Sequence, residues 1–325
     1  MPDYPASALP RPSKPLFARL AFLAFLLAFV VIILGAYTRL TNAGLSCPDW
    51  PRCYGYLTPP ITADEALQAA KAYPQAPLDK TRAWTEMRHR YLAGLEGILI
   101  LTLIALSWCW RKELPPLAFK LTQSLIVILL GQILLGMLTV TALLKPVVVL
   151  GHLVCGFSLM SILWVIWLLT NKPTAAPLHQ RFYLWISLGL LILIMQITLG
   201  GWVSTHSAGL ACVDFPYCNG SLLPTLQWKA LHTDLITMHM LHRLGALVTF
   251  IYLSLLGLFL SLRSASRRFG LLLLGLLSTQ ILLGILNILW LRPVSIALPH
   301  HAVAALLLLT LLAILFHSRR QGSLT

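Results

Sequence analysis

Apolar residues run almost unbroken through eight stretches of this chain, and the polar residues collect in the gaps between them. The stretches cover about residues 18–38, 90–110, 120–143, 147–169, 182–203, 237–261, 269–291 and 295–316. Each is close to the ~20 residues that carry a helix across the hydrocarbon of a bilayer. Backbone at that depth must satisfy its own hydrogen bonds, which an uninterrupted helix does. The first stretch is too long for a signal-peptide core, and no cleavage-like site precedes the second, so it is read as a span. The pattern predicts an all-α membrane protein of eight transmembrane helices.

Composition agrees: of 325 residues, 58% are hydrophobic and 10% charged, with mean hydropathy +0.81, against roughly 25% charged in soluble domains. The net charge of +14 would point to nucleic acid in a soluble protein. In a lipid bilayer the positive-inside rule accounts for it, and no nucleic-acid partner is expected. Arg11, Lys14, Arg19, Arg111, Lys112, Lys120, Lys172, Arg181, Arg263, Arg267, Arg268, Arg319 and Arg320 fall in short connections and termini on one side. Two long loops, about 39–85 and 204–236, lie on the other. Both termini are therefore expected in the cytoplasm and both long loops outside.

The chain repeats itself. Gly35 to Pro59 and Gly200 to Pro224 align without gaps, sharing eleven of 25 positions, among them Gly35/Gly200, Cys47/Cys212, Asp49/Asp214, Pro51/Pro216 and Cys53/Cys218. Glu86-Met-Arg-His89-Arg90 is matched by His239-Met-Leu-His242-Arg243, and Gln132-Ile-Leu-Leu-Gly136 by Gln280-Ile-Leu-Leu-Gly284. A tandem duplication of a four-helix unit follows, and four being even, the halves share one orientation about a pseudo-two-fold axis along the membrane normal. The expected divisions are a tail 1–17, a first half 18–169, a linker 170–181, a second half 182–316 and a tail 317–325. In the first long loop, Ala63 to Leu67 opens a short surface helix that Pro74 and Pro77 would end.

Each long loop carries a cysteine pair, Cys47 with Cys53 and Cys212 with Cys218. Outside the cell disulfides persist, and five intervening residues including proline suit a closed loop better than a zinc knuckle, whose ligands stand two to four apart with a second pair nearby. Cys109 and Cys155 lie within spans and read as small buried apolar residues. His179 and His317 fall on the cytoplasmic side, and His206 and His232 in an outer loop.

Six histidines, His89, His152, His239, His242, His300 and His301, fall at the outer ends of spans, where ionisable residues usually mark function. Paired imidazoles on facing helices hold a haem iron from both faces. We expect two bis-histidine sites, His89 with His152 and His242 with His300. His300 lies as far beyond Gln280 as His152 lies beyond Gln132, and the adjacent His301 is the alternative. Gly94, Gly97, Gly151, Gly156 and Gly245 are expected to make room for a flat macrocycle. Arg90 and Arg243 are candidate contacts for its propionates. Glu86 stands three residues before His89, on the same helix face, where the second half has His239. A carboxylate there is a candidate base or cation stabiliser. Glu96, two turns further into the span, has no assigned role.

Eight spans in two halves, the run Asn42-Ala-Gly-Leu-Ser-Cys-Pro-Asp-Trp-Pro-Arg-Cys53, the Glu-x-x-His-Arg stretch and the paired outer histidines resemble the haem A synthase family across about residues 18–316. The resemblance implies oxidation of the C8 methyl group of haem O to a formyl group, giving haem A for terminal oxidases, in a bacterial cell membrane. It implies Glu86 as the essential carboxylate, His89 and His152 as axial ligands of the substrate haem, and His242 and His300 as those of a resident haem b. It also implies disulfides at Cys47–Cys53 and Cys212–Cys218, a farnesyltransferase that makes haem O as partner, and an electron acceptor. Two other classes fit parts of the pattern: a bis-histidine electron-transfer cytochrome of the b type, and a haem-handling transporter.

Overall fold

A computed structural model describes residues 15–171 and 182–319. Within them lie nine α-helices: α1 (Pro15–Leu40), α2 (Ala63–Ala72), α3 (Lys80–Cys109), α4 (Pro116–Thr141), α5 (Pro146–Thr170), α6 (Tyr183–Thr205), α7 (Leu235–Ser261), α8 (Arg267–Leu289) and α9 (Val294–Arg319). All but α2 are long and apolar enough to cross a membrane, so the eight expected spans are all present. Of the basic residues used to orient the chain, Arg11, Lys14, Lys172, Arg181 and Arg320 lie outside the described residues, as do His179, most of the linker and most of both tails.

Local chemistry sets the helix boundaries. Proline opens α4 and α5 at Pro116 and Pro146, where its missing N–H costs nothing and its φ is already helical. The carboxylates of Asp79 and Asp234 cap α3 and α7 by accepting from the N–H groups of Arg82 (3.0 Å) and Thr237 (2.7 Å). The short helix α2 begins with a capping box, in which Thr62 and Glu65 satisfy one another's backbone N–H groups, and it stops before Pro74 as expected.

The spans pack in two rings of four. In the first, α1 touches α3, α3 touches α4, α4 touches α5 and α5 returns to α1; in the second, α6, α7, α8 and α9 close in the same cyclic order. Among the described residues the diagonal helices α3 and α5 do not pack closely on one another, and neither do α7 and α9. The rings meet along α1, α5, α6 and α9. One main apolar cluster runs through both rings and includes Phe25, Leu103, Leu163, Leu253 and Leu311. Trp164 of α5 donates its indole N–H to the carbonyl of Leu309 of α9 (3.1 Å), tying the rings together.

Candidate functional site

The connections from α1 to α3 and from α6 to α7 fold alike at their cysteines. Disulfides close Cys47–Cys53 and Cys212–Cys218, and all four cysteines are buried. Inside each ring an aspartate organises the turn. Asp49 accepts from the N–H groups of Tyr54 (2.6 Å) and Gly55 (2.8 Å), and Asp214 from those of Asn219 (2.6 Å) and Gly220 (2.9 Å). Gly55 and Gly220 take φ of +83° and +86°, a region other residues enter only at a cost. The peptide bonds Trp50–Pro51 and Phe215–Pro216 are cis. The Asp and Pro repeated between the cysteines thus define one loop conformation, built twice. The N–H groups of Gly220 and then Asn219 hold the Asp214 carboxyl below its ordinary range, helped by the Arg243 charge and against a desolvation that raises it. Burial pushes the Tyr54 phenol up, with the charges of Glu86, Asp49 and Asp79 adding to it.

Each loop is pinned from beneath by the helix that follows it. Arg90 of α3 donates to the carbonyls of Asp49 (2.9 Å), Pro51 (3.4 Å) and Arg52 (2.7 Å). Arg243 of α7 donates to those of Tyr217 (2.8 Å), Asp214 (2.9 Å) and Cys212 (3.2 Å). The guanidinium groups read from sequence as candidate propionate contacts therefore serve, in this structure, as anchors of the disulfide loops. Which groups they face could not be read from spacing alone, because their partners lie some 40 residues away on the first loop and 26–31 on the second.

Glu86 is only 4% exposed. Its carboxylate pairs with Arg90 (2.5 Å) and accepts the N–H of Cys47 (2.9 Å), so it joins the loop to the turn of α3 that carries His89. In the second ring His239, equally buried, sets its Nδ1 3.0 Å from the carbonyl of Ala208. The two halves solve one structural problem with different groups, and only the first leaves a carboxylate there.

The histidine pairs meet across the open diagonals. His89 of α3 and His152 of α5 are close enough to interact electrostatically, and so are His242 of α7 and His300 of α9. Each ring rests on a glycine of an adjacent helix. A Cβ placed on Gly35, Gly200, Gly284 or Gly136 would stand 2.9, 3.0, 3.2 or 3.3 Å from Cε1 of His89, His242, His300 or His152 respectively. These four glycines seat the imidazoles. Of the glycines expected to flank a macrocycle, Gly94 borders open space, while a Cβ on Gly97, Gly151, Gly156 or Gly245 would approach leucine, isoleucine or glutamine side chains. A signal was present in the sequence, since Gly35/Gly200 and Gly136/Gly284 are among the glycines shared by both halves.

Nδ1 of His89, His152 and His300 has no hydrogen-bond partner among the described residues. Four half-buried imidazoles in facing pairs, three with a buried and unused ring nitrogen, seated on small residues across helices that do not close together, fit a flat macrocycle with its iron held from both faces. His301 turns elsewhere, edge-on to Phe157 of α5 (5.3 Å) in the seam between the rings. Cys109 is exposed, and Cys155 is half-buried with its thiol towards the carbonyl of Ile128 (3.6 Å). The cysteine at 109 thus departs from the buried position expected for it. Glu96 is 6% exposed, with Oε1 unpartnered among the described residues.

Residues 18–312 match the model of a family described as cytochrome oxidase assembly protein. The chain is 38% identical over 316 residues to a protein of Shewanella oneidensis named heme A synthase, covering 91% of this chain and 94% of the relative. A heme A synthase of Bradyrhizobium diazoefficiens is 32% identical over 316 residues, covering 86% and 85%. One of Erythrobacter litoralis is 28% identical over 315 residues, covering 87% and 91%.

Proposed function

The chain belongs to the cytochrome oxidase assembly protein family, and we propose that it acts as a haem A synthase, an oxidoreductase that converts the C8 methyl group of haem O to a formyl group. The observation that carries this reading is the pairing of half-buried histidines across both open diagonals, with a buried carboxylate, Glu86, one turn from only one pair. Residues 18–169 form the reacting half, where His89 and His152 hold the substrate haem. Residues 182–316 form the retaining half, where His242 and His300 hold a haem b. When bound, that haem supplies one-electron redox chemistry at its iron.

The remaining chemistry belongs to the chain. Oxidising a methyl carbon to a formyl group exchanges C–H bonds for a C=O bond whose oxygen comes from a co-substrate, water or dioxygen, while electrons and protons leave the carbon, and Glu86 is the group placed to accept a proton or stabilise positive charge. Arg90 and the Cys47 N–H hold that carboxylate in one orientation, and the loop above keeps water from it. The loops face outward and both termini the cytoplasm, in a bacterial inner membrane. A membrane farnesyltransferase supplies haem O, and an acceptor outside the chain takes the electrons.

Replacing Glu86 with Gln tests this. The amide keeps an acceptor for Cys47 but neither base nor charge, so cells making haem O should yield no formyl haem while purified protein keeps its retained haem. Removing one partner of a buried pair costs about 3–5 kcal/mol, so Glu86→Ala should in addition loosen the loop. Normal haem A in extracts of E86Q cells would remove Glu86 from the mechanism. A wild-type chain that binds haem but never yields the formyl pigment would instead mark an electron-transfer cytochrome.

A further inference from the structure

Glu96 stands seven residues beyond His89 in α3. That is two turns of helix, so it shares the face of the ligand histidine, about 10 Å further from the loops. It is 6% exposed, and its Oε1 has no hydrogen-bond partner among the described residues. Burying a carboxyl oxygen without a partner is costly, and within a span such a residue usually marks function. It takes no part in the frame that pins the first disulfide loop, which uses Glu86 and Arg90. In the second ring the matching place, seven residues beyond His242, holds Thr249, 4% exposed. The Thr249 hydroxyl donates to the carbonyl of Gly245 one turn earlier (2.7 Å). The second ring thus satisfies its polar group within the helix, and the first leaves a carboxyl oxygen open to a ligand.

We propose that Glu96 is a specificity-determining residue, which tells haem O from protohaem by pairing with the hydroxyl of the farnesyl-bearing substituent. The inference rests on the two-site reading above, with His89 and His152 on the iron of haem O. Haem O differs from protohaem at one position, where a vinyl group is replaced by a carbon that carries a hydroxyl and the farnesyl chain. The propionates leave one edge of the macrocycle, and this substituent leaves the opposite edge. Ionised carboxylates are costly in hydrocarbon, so the propionates face the loop end of the ring. The C8 methyl shares a pyrrole with one of them and lies at the same end, towards Glu86. The hydroxyl then faces inward along α3, towards Glu96. A hydroxyl donates to a carboxylate and accepts from a carboxylic acid, so the pairing holds in either protonation state. Protohaem offers only a vinyl group there, and a site built to hydrogen-bond a hydroxyl rejects the analogue that lacks it. Haem b, the ligand assigned to the second ring, has no such hydroxyl, in keeping with a threonine already satisfied. Without Glu96 the first site would take the same pigment as the second.

The test titrates haem O and protohaem separately into the purified full-length chain in detergent, with its retained haem in the second site, and follows the bis-histidine absorption of the first. His89→Ala should remove that signal and so shows where the added haem binds. Glu96→Leu should weaken haem O binding by about 5–150-fold, the usual effect of leaving a buried polar group without its partner. Protohaem should bind that variant as tightly as before, or more tightly. Glu96→Gln, whose amide still donates and accepts, should stay close to wild type for both haems. Equal loss for the two haems in E96L, or unchanged affinity for haem O, would overturn the proposal. If E96L fails to fold, Glu96→Thr, the residue that the second ring accommodates at the matching place, decides by the same comparison. A wild-type chain whose first site takes up neither haem would instead overturn the two-site reading, and the proposal with it.

Discussion

Adding one methyl group to the glycine seats should disturb haem binding in a graded order. A Cβ on Gly35 would lie 2.9 Å from Cε1 of His89 and 3.4 Å from its Nε2. Carbon atoms rest at about 3.5–4.0 Å, so the imidazole must retreat by at least ~0.6 Å along a helix already packed on both sides. Overpacking of this kind costs about 1–3 kcal/mol, equivalent to roughly 5- to 150-fold in affinity. Gly200→Ala should weaken haem retention in the second site by a similar factor, since its contact would be 3.0 Å. Gly284→Ala and Gly136→Ala, at 3.2 and 3.3 Å, should cost less. Gly94→Ala meets nothing within 4 Å and serves as the control. Alanine favours a helix over glycine by up to ~1 kcal/mol, so any loss cannot come from the backbone. The assay is haem per protein after purification, by pyridine haemochrome, with release rates for the retained haem. Equal haem loss in G94A and G200A, or full retention in G200A, would refute the steric argument.

Three further outcomes follow from the same geometry. Because Asp214 is held below its ordinary range, chiefly by the Gly220 N–H, the stability it lends the second loop is complete above the usual carboxylate pKa of ~3.9 and fades only as pH falls through the depressed value. Amide-exchange protection at Gly220 should therefore stay level from neutral pH to about pH 4 and drop below it, and Asp214→Asn should abolish that dependence. Replacing Cys47 and Cys53 with serine opens a ring whose closure is worth ~2 kcal/mol, so the Tyr54 and Tyr56 amides should exchange roughly 30-fold faster with the helices unaffected. His300→Ala should empty the second site, whereas His301→Ala, which removes only an edge contact to Phe157, should leave it filled; haem spectra of the two proteins decide.

The spans and the two loops could be read from the chain because their causes are local. A run of apolar residues is a helix in lipid wherever it occurs, and Thr62 with Glu65 closes its capping box within four residues. The histidine pairs were legible for a different reason. Duplication writes each position twice, so His89/His242 and His152/His300 stand out against a variable background. What could not be read was the direction in which side chains face. Arg90 stands where a propionate contact would, yet its partners are loop carbonyls some 40 residues upstream. The glycines that seat the imidazoles belong to neighbouring helices, and only the cyclic packing order reveals which glycine meets which histidine.

The seam between the rings has a consequence for how such a chain could arise. The contact of α1 with α9 and that of α5 with α6 are the same contact made twice, since α6 answers to α1 and α9 to α5, and the remaining contact, α5 with α9, joins a helix to its own counterpart. That reciprocity is the mark of an isologous interface, the kind a homodimer of a single four-helix subunit would form. Two identical subunits would be bound to carry identical sites, both with glutamate or both with histidine at the turn above the ligand. Joining them in one polypeptide releases that constraint. Glu86 against His239 is a difference that a symmetric dimer could never have acquired.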